Sequence, residues 1–432
     1  MNRVDERPLT GRGAPEQRAV DALLAQSGRT LPLLRAWVSA DPRCGVARAL
    51  LALAAGDHWD DAVLKRQMAI AHRDALEAGE RETSLVYGVF LHTHRHYRLT
   101  AEHLVWHFAR WPADEQAGLL VGAFWACQDP EYRRHGDTLV EEQAAVAGPD
   151  NWPWTSWLAS ARAEQSGRAR EAYELAEHAL DLYPRSGVAA HALAHAAHEL
   201  GTGPACTDFL DHWLRADPRA LQARHLNWHA ALQSLACGDY PDARRRADTA
   251  LARTDVGMRA ATNWRLLLAG QSPAHHSDPA QLRELLAAPG GMAEIFHTFN
   301  LALALAVEAA TDDLHALSRR AAADDRPDFR DVLAPVVRAL AEITAGRPRA
   351  AVDLLTDLID PDERLERLGG VRVEREIVQD TLARALVDAG DQVRAAVLLR
   401  HRTTTRHHHH YEDQLLTART PAGTPGLVPE PR

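Results

Sequence analysis

The sequence predicts an all-α chain of repeated helical hairpins, a solenoid curled around a central concave cavity. Three observations carry that expectation. Strand formers are scarce: isoleucine occurs five times in 432 residues and phenylalanine and tyrosine seven times each, while alanine supplies much of the apolar fraction. Glycines recur at multiples of about 35 residues, followed by small residues at fixed offsets. Apolar residues between them keep a helical period over residues 15–402.

Taken in order, residues 1–14 carry charges, Pro and Gly and are expected to be a flexible start. Helices are expected over 15–40, 42–56, 60–78, 82–97, 100–110, 113–127 and 130–147, and the best-defined hairpins over 153–253. In GRAREAYELAEHALDLYP, Gly167 is followed by Ala172, Ala176 and Ala179, and Pro184 closes the helix. GDYPDARRRADTALA repeats the offsets with Gly238, Ala243, Ala247 and Ala250, and weaker copies follow at Gly346–Ala350 and Gly390–Ala395. The first three of these glycines are 71 and 108 residues apart, near two and three periods. Glycine accepts the positive φ that ends a hairpin's first helix, alanines let the second helix approach closely, and proline stops it. This is the tetratricopeptide pattern, and it predicts one solenoid over 15–402. GQSPAHHSDPAQ, around 270–281, is expected to be a loop within it. The last stretch, 403–432, holds the His407–His410 run and a Pro/Gly-rich end and is expected to be solvated and disordered.

Composition excludes several chemistries. The sole lysine, Lys65, has no Gly-rich loop before it, which removes a P-loop and leaves a Schiff-base enzyme unsupported. A net charge of −10 argues against nucleic acid as the partner. Cys44, Cys127, Cys206 and Cys237 form no CxxC pair, so neither a zinc knuckle nor a disulfide framework is indicated. The start lacks the apolar core of a signal peptide, and no run of about 18 apolar residues occurs, so a soluble cytoplasmic protein without a membrane partner is expected.

The unusual chemistry lies at 191–229. SGVAAHALAHAAHEL puts His191, His195 and Glu199 on one helical face, with His198 beside them, and ARHLNWHAALQSLACG sets His225 and His229 four apart around Trp228. Counted from the turn glycines, His191, His195, His198, His225 and Trp228 fall at offsets facing inward. Trp154 and Trp157, with Glu164 a turn later, precede them, and Trp264 and Arg265 follow. Tryptophan offers apolar area with a donor tip, arginine a bidentate anion anchor, and histidine a base that titrates near neutrality. The expectation is a groove for a small anionic or aromatic molecule, with His195 and His229 as acid–base residues. An interaction scaffold holding a peptide in the same groove is the alternative. The HxxxH pairs have the spacing of helix-borne metal sites, yet no HExxH, HxxEH or Glu-x-x-His set occurs, so neither metal nor cofactor is expected. His103 and His107 form another one-faced pair, read as structural.

ALDLYPRSGVAAHALAHAAHELG, then HLNWHAAL, GDYPDA and NWRLLLAG in that order, resembles the tetratricopeptide repeat protein 38 family, whose members show similar Pro-then-HxxAH, HxxWHxAL and Trp-Arg-Leu segments. RLGGVRVEREIVQDTLARAL is similar to a family segment built around Gly-Gly-Ser-His and a later Arg. Gly369, Gly370 and Arg375 match, while Val371 and Arg372 stand at the Ser and His positions and Ala302 stands where a further His is expected. The likeness covers about 30–400 and is strongest at 170–270. It implies an α-solenoid around a polar cavity to which His191, His195, His225, His229, Trp264 and Arg265 map, and it implies no particular reaction. With lysine nearly absent, Arg265, Arg372 and Arg375 are the expected anion anchors. The departures from the family pattern, with an apparent high-GC composition, suggest a step in bacterial secondary metabolism.

Overall fold

One backbone device recurs along the chain. In the computed structural model, which describes residues 15–251, 256–274, 276–288, 290–359 and 363–417, helices end at Gly167, Gly201, Gly238, Gly270, Gly346 and Gly390 with φ between 64° and 90°. From Gly201 onward the next residue donates its N–H to the carbonyl five positions back: Thr202 to Ala197, Asp239 to Ser234, Gln271 to Leu266, Arg347 to Glu342 and Asp391 to Leu386, at 2.8–3.0 Å. This is the six-to-one bond of a Schellman cap, which satisfies a carbonyl that the helix end would leave open. Turns at Gln26 and Arg95 make the same bond without a glycine, Ser27 donating to Ala22 and His96 to Leu91 at 2.9 Å, and one such turn lies between Gly270 and Gly346. Ala309 takes φ 52°, and Ala310 donates to Leu305 at 2.9 Å. Including it, successive turns are 34, 37, 32, 39, 37 and 44 residues apart, the arithmetic of a hairpin repeat.

The small residues behind the turns are buried as their offsets require. Ala172, Ala176, Ala179, Ala243, Ala247 and Ala395 are fully buried. Ala250 is only half-buried and Leu251 fills the core beside it; likewise Ala351, five residues after its glycine, is the buried residue rather than Ala350. All described regular structure is helical, no strand occurs among the described residues, and no described helix is long and apolar enough to cross a membrane.

The chain divides into two compact units. One contains residues up to Ala196 together with His212–Ala223, the other Ala197–Asp211 together with residues from Arg224 onward. The divisions fall inside helices Gly187–Leu200 and Pro204–Ala216 and at the start of Ala223–Ala236, not at the 270–281 segment, which lies within the second unit. Hairpins on either side obey the same turn grammar, so the sequence period does not mark the division.

In the first unit the expected 15–40 helix is two, Pro15–Leu24 and Thr30–Ala40, parted where Gln26 takes φ 54°. Helix Asp61–Ala78 starts where Asp60 Oδ1 accepts the Val63 N–H at 2.8 Å, so the predicted 60–78 element stands. The expected 113–127 helix is reduced to single turns at Glu115–Gly118 and Ala123–Ala126. Leu34, Leu50, Leu85, Phe108, Phe124 and Trp154 build the core. Contacts in this unit also reach far along the sequence: Gly187 N–H donates to Ala25 O at 2.9 Å, Leu221 N–H to Gln26 O at 2.8 Å, and Gly28 N–H to Asp217 Oδ2 at 3.0 Å. A Cβ at Gly28 would stand 2.7 Å from the Arg219 backbone, so the approach requires glycine.

The second unit is closed from the other end of the chain. Residues 403–417 were expected to be a solvated tail, but helix Gln392–Thr405 runs through 403–405 and a further helix spans His410–Thr417. Its Tyr411, Glu412 and Leu415 are buried, because Tyr411 and Leu415 are four apart and present one face to the core. His407 and His408 donate their backbone N–H groups to Leu200 O and Gly201 O at 3.1 and 3.0 Å, capping carbonyls at the end of Gly187–Leu200. The turn glycines receive this segment. A Cβ on Gly201 would meet Arg406 at 2.6 Å, and one on Gly238 would meet the His410 ring at 2.3 Å. Both 1–14 and the Pro/Gly-rich end from 418 lie outside the described residues.

Candidate functional site

The histidines of the first unit form a relay. In the buried stretch of Gly187–Leu200, His195 Nδ1 lies 3.0 Å from Glu164 Oε1 at the end of Trp152–Ala163, and its Nε2 lies 2.9 Å from His191 Nε2. The i,i+4 spacing brings the two rings together, with centroids 4.4 Å apart and planes nearly perpendicular. An ionised carboxylate only accepts, so Glu164 fixes the His195 proton on Nδ1. Neutral His195 then offers its Nε2 lone pair, and His191 donates to it. The arrangement places one N–H between two imidazoles with a carboxylate behind them.

Trp154 and Trp157, expected to line a groove, are packing residues. Trp154 is fully buried, donates its indole N–H to Ala113 O at 3.0 Å and stacks edge-on to Trp157, whose ring fills the space that a Cβ on Gly118 would occupy. The same unit holds a chain that the sequence did not reveal. Ser84 Oγ lies 2.8 Å from His107 Nδ1, and His107 Nε2 lies 3.1 Å from Asp114 Oδ2, itself paired with Arg81 at 2.8 Å. Burial would push the Asp114 carboxyl up, but its bond to His107 and the Arg81 charge outweigh burial and hold it below the ordinary range. Ser84 lies buried in mid-helix, and its hydroxyl is bonded to His103 as well as His107. Ser–His–Asp order here makes a packed polar network, as expected for the His103/His107 pair.

In the second unit, helix Ala223–Ala236 carries His225, Trp228 and His229 as one aromatic cluster. The His225 and His229 rings are 4.8 Å apart, and the Trp228 ring lies 5.5 Å from the first and 5.0 Å from the second. Trp228 and His229 are fully buried and His225 is half-buried.

Trp264, Arg265, Glu199, Arg372 and Arg375 belong to a second feature of this unit, a buried ionic network along helix Arg372–Asp388. Trp264 donates its indole N–H to Thr381 Oγ1 at 3.0 Å. Arg265 pairs with Asp380 at 3.2 Å and donates to Val373 O at 2.9 Å, while Arg372 pairs with Glu199 at 3.3 Å. Arg375 donates to Gly370 O at 2.5 Å, across a Gly369–Gly370 turn in which both residues have positive φ. Around them stand residues that sequence reading missed. Arg406 bridges Glu376 at 2.7 Å and Glu412 at 2.8 Å, Arg402 holds Asp380, and His198 lies 3.0 Å from Glu376. Carboxylates Glu199, Glu376, Asp380 and Glu412 thus face guanidinium groups Arg265, Arg372, Arg402 and Arg406. The expected anion anchors Arg265 and Arg372 are therefore engaged by carboxylates of the chain itself.

Titration follows from this packing. Burial would raise the Glu376 carboxyl, but the Arg402 and Arg406 charges and His198 outweigh it and hold it well below the ordinary range. Burial and the Arg406 charge lower His198 to about 4 against the pull of Glu376, so a neutral His198 donates its Nε2–H to an ionised Glu376. Burial and the Glu376 charge raise Glu199 in spite of Arg406 and Arg372. The sequence signal for this network was the charged i,i+4 row Arg372, Glu376, Asp380 and Arg384; its arginine partners at 402 and 406 are more than twenty residues away.

The chain matches no protein-family model, and no curated protein is significantly similar to it.

Proposed function

We propose that this is a tetratricopeptide-like helical-repeat protein, related to the tetratricopeptide repeat protein 38 family, that binds a small anionic or aromatic molecule at the His191–His195 pair, with His195 as its general acid–base. The Glu164–His195–His191 relay carries this reading. A carboxylate that fixes one imidazole tautomer and a second imidazole on the reactive nitrogen make an acid–base device. His191 is half-buried. Arg265 and Arg372 have carboxylate partners, so in this account the ligand is held by hydrogen bonds to the histidines rather than by the arginines. A step in bacterial secondary metabolism remains the setting that the composition favours.

The test is thermal stability with a panel of small carboxylic and phenolic acids. A ligand of the folded state present at a hundred times its Kd stabilises by about 2.7 kcal/mol. At least one compound should raise the melting temperature of the wild type but not of His191→Ala or His195→Ala; shifts that persist in both variants would sink the reading. A second reading, a peptide-binding surface away from the predicted groove, has its own support in the first unit. There Trp106, 51% exposed, and Tyr87 lie with His103 on the adjacent helices Glu80–Thr93 and Tyr97–Arg110. A peptide partner would be lost on Trp106→Ala and retained on His195→Ala.

A further inference from the structure

We infer that each of two helix-borne histidine pairs, His191/His195 in the first unit and His225/His229 in the second, offers two ligands to a divalent transition metal such as zinc. The first pair already has the required spacing, and binding needs the His191 proton on Nδ1 so that both Nε2 lone pairs face the ion. Its Nε2 atoms lie 2.9 Å apart, the separation of two nitrogens bound to one ion at about 2.0–2.1 Å with an angle of roughly 90°. Opening the angle to the tetrahedral value needs a separation of about 3.3 Å, within reach of small ring rotations. The supporting group is also in place. A metal-bound imidazole characteristically donates its other ring N–H to a carboxylate, which fixes the tautomer and raises the ligand's basicity. Glu164 does this to His195 Nδ1 at 3.0 Å, with both side chains largely shielded from solvent.

The second pair is built on the same plan. His225 and His229 are four residues apart on Ala223–Ala236, and ring nitrogens within each pair approach within 4.8 Å. Imidazole donors with no cysteine among them suit zinc, copper, nickel or iron rather than magnesium or calcium. Two imidazoles from one helix leave coordination positions for further ligands, and a small anion is the natural occupant of such a position. The proposal therefore supplies a second way for the His191–His195 site to take an anionic molecule. It rests on the same histidines as the ligand-binding reading but does not need that ligand.

The exposed run at 407–410 must be silenced first, because it binds metal by itself. Full-length protein with all four histidines of the run changed to glutamine, checked for folding by circular dichroism, is stripped with chelator and titrated with Co²⁺ and Zn²⁺. One or two ions per chain are expected, with visible Co²⁺ d–d bands. His191→Ala should weaken binding at the first pair and His229→Ala at the second, each at least tenfold, and Glu164→Gln, which keeps both imidazoles, should weaken the first about 10–100-fold. No stoichiometric binding, or binding unchanged in the folded His191→Ala/His195→Ala double variant, would overturn the inference. Organic ligands that still shift the melting temperature of the chelated protein would leave the ligand-binding reading standing alone.

Discussion

Replacing His198 by glutamine should remove much of the acid sensitivity of the second unit. In the folded chain His198 is neutral and donates to Glu376, held at about 4 by burial and by Arg406. In the unfolded chain it returns to an ordinary value near 6.5. The folded value is the lower one, so as pH falls below 6.5 the unfolded chain gains the proton first and stability drops until the folded value is reached. Between about pH 7.5 and pH 5 this single group costs the fold about 2 kcal/mol, with the loss completing near pH 4. Glutamine still donates to Glu376 but does not titrate. Hydrogen exchange of peptides covering Val256–Leu268 and Arg372–Asp388, measured at both pH values, reads the stability of the unit without requiring the whole chain to unfold in one step. The wild type should lose about 2 kcal/mol more than His198→Gln on acidification. Equal losses in the two proteins would refute the assignment of a neutral, buried His198.

Two backbone substitutions test the turn geometry in opposite directions. Gly238→Ala should destabilise by more than about 2 kcal/mol, because φ is 75° and the new Cβ would stand 2.3 Å from the His410 ring; a melting temperature within a degree of wild type would contradict the docking of 406–410 on that turn. Ala309→Gly should instead stabilise by about 1 kcal/mol, since Ala309 holds φ 52° at a position that other turns fill with glycine. Loss of stability in denaturant melts would show that Ala309 is not strained.

The fold was legible because its main signal is local. A glycine needed for positive φ and alanines five, nine and twelve positions later are visible in Gly167, Ala172, Ala176 and Ala179 without any knowledge of partners. Ala309 escaped because alanine gives no hint of a left-handed turn. The ordered 406–417 segment escaped because four successive histidines look solvated, while the features that bury it, Arg406 against Glu376 and Glu412 and the Tyr411/Leu415 face, depend on residues distant in sequence. Tryptophans illustrate the limit of offsets: Trp154, Trp228 and Trp264 sit where counting placed them on their helices, but side-chain volume takes them into the cores. At the histidines, i,i+4 spacing read correctly that His191 meets His195, and it needed the neighbouring Glu164 carboxylate to become chemistry.

That carboxylate is where the account is most exposed. Long-range ¹H–¹⁵N correlation of the histidine side chains places the ring protons directly, in metal-free protein near pH 8. The relay predicts a His195 resonance with the proton on Nδ1 and an unprotonated Nε2, shifting toward mixed tautomers in Glu164→Gln. A wild-type His195 protonated on Nε2, or a spectrum indifferent to Glu164→Gln, would contradict it.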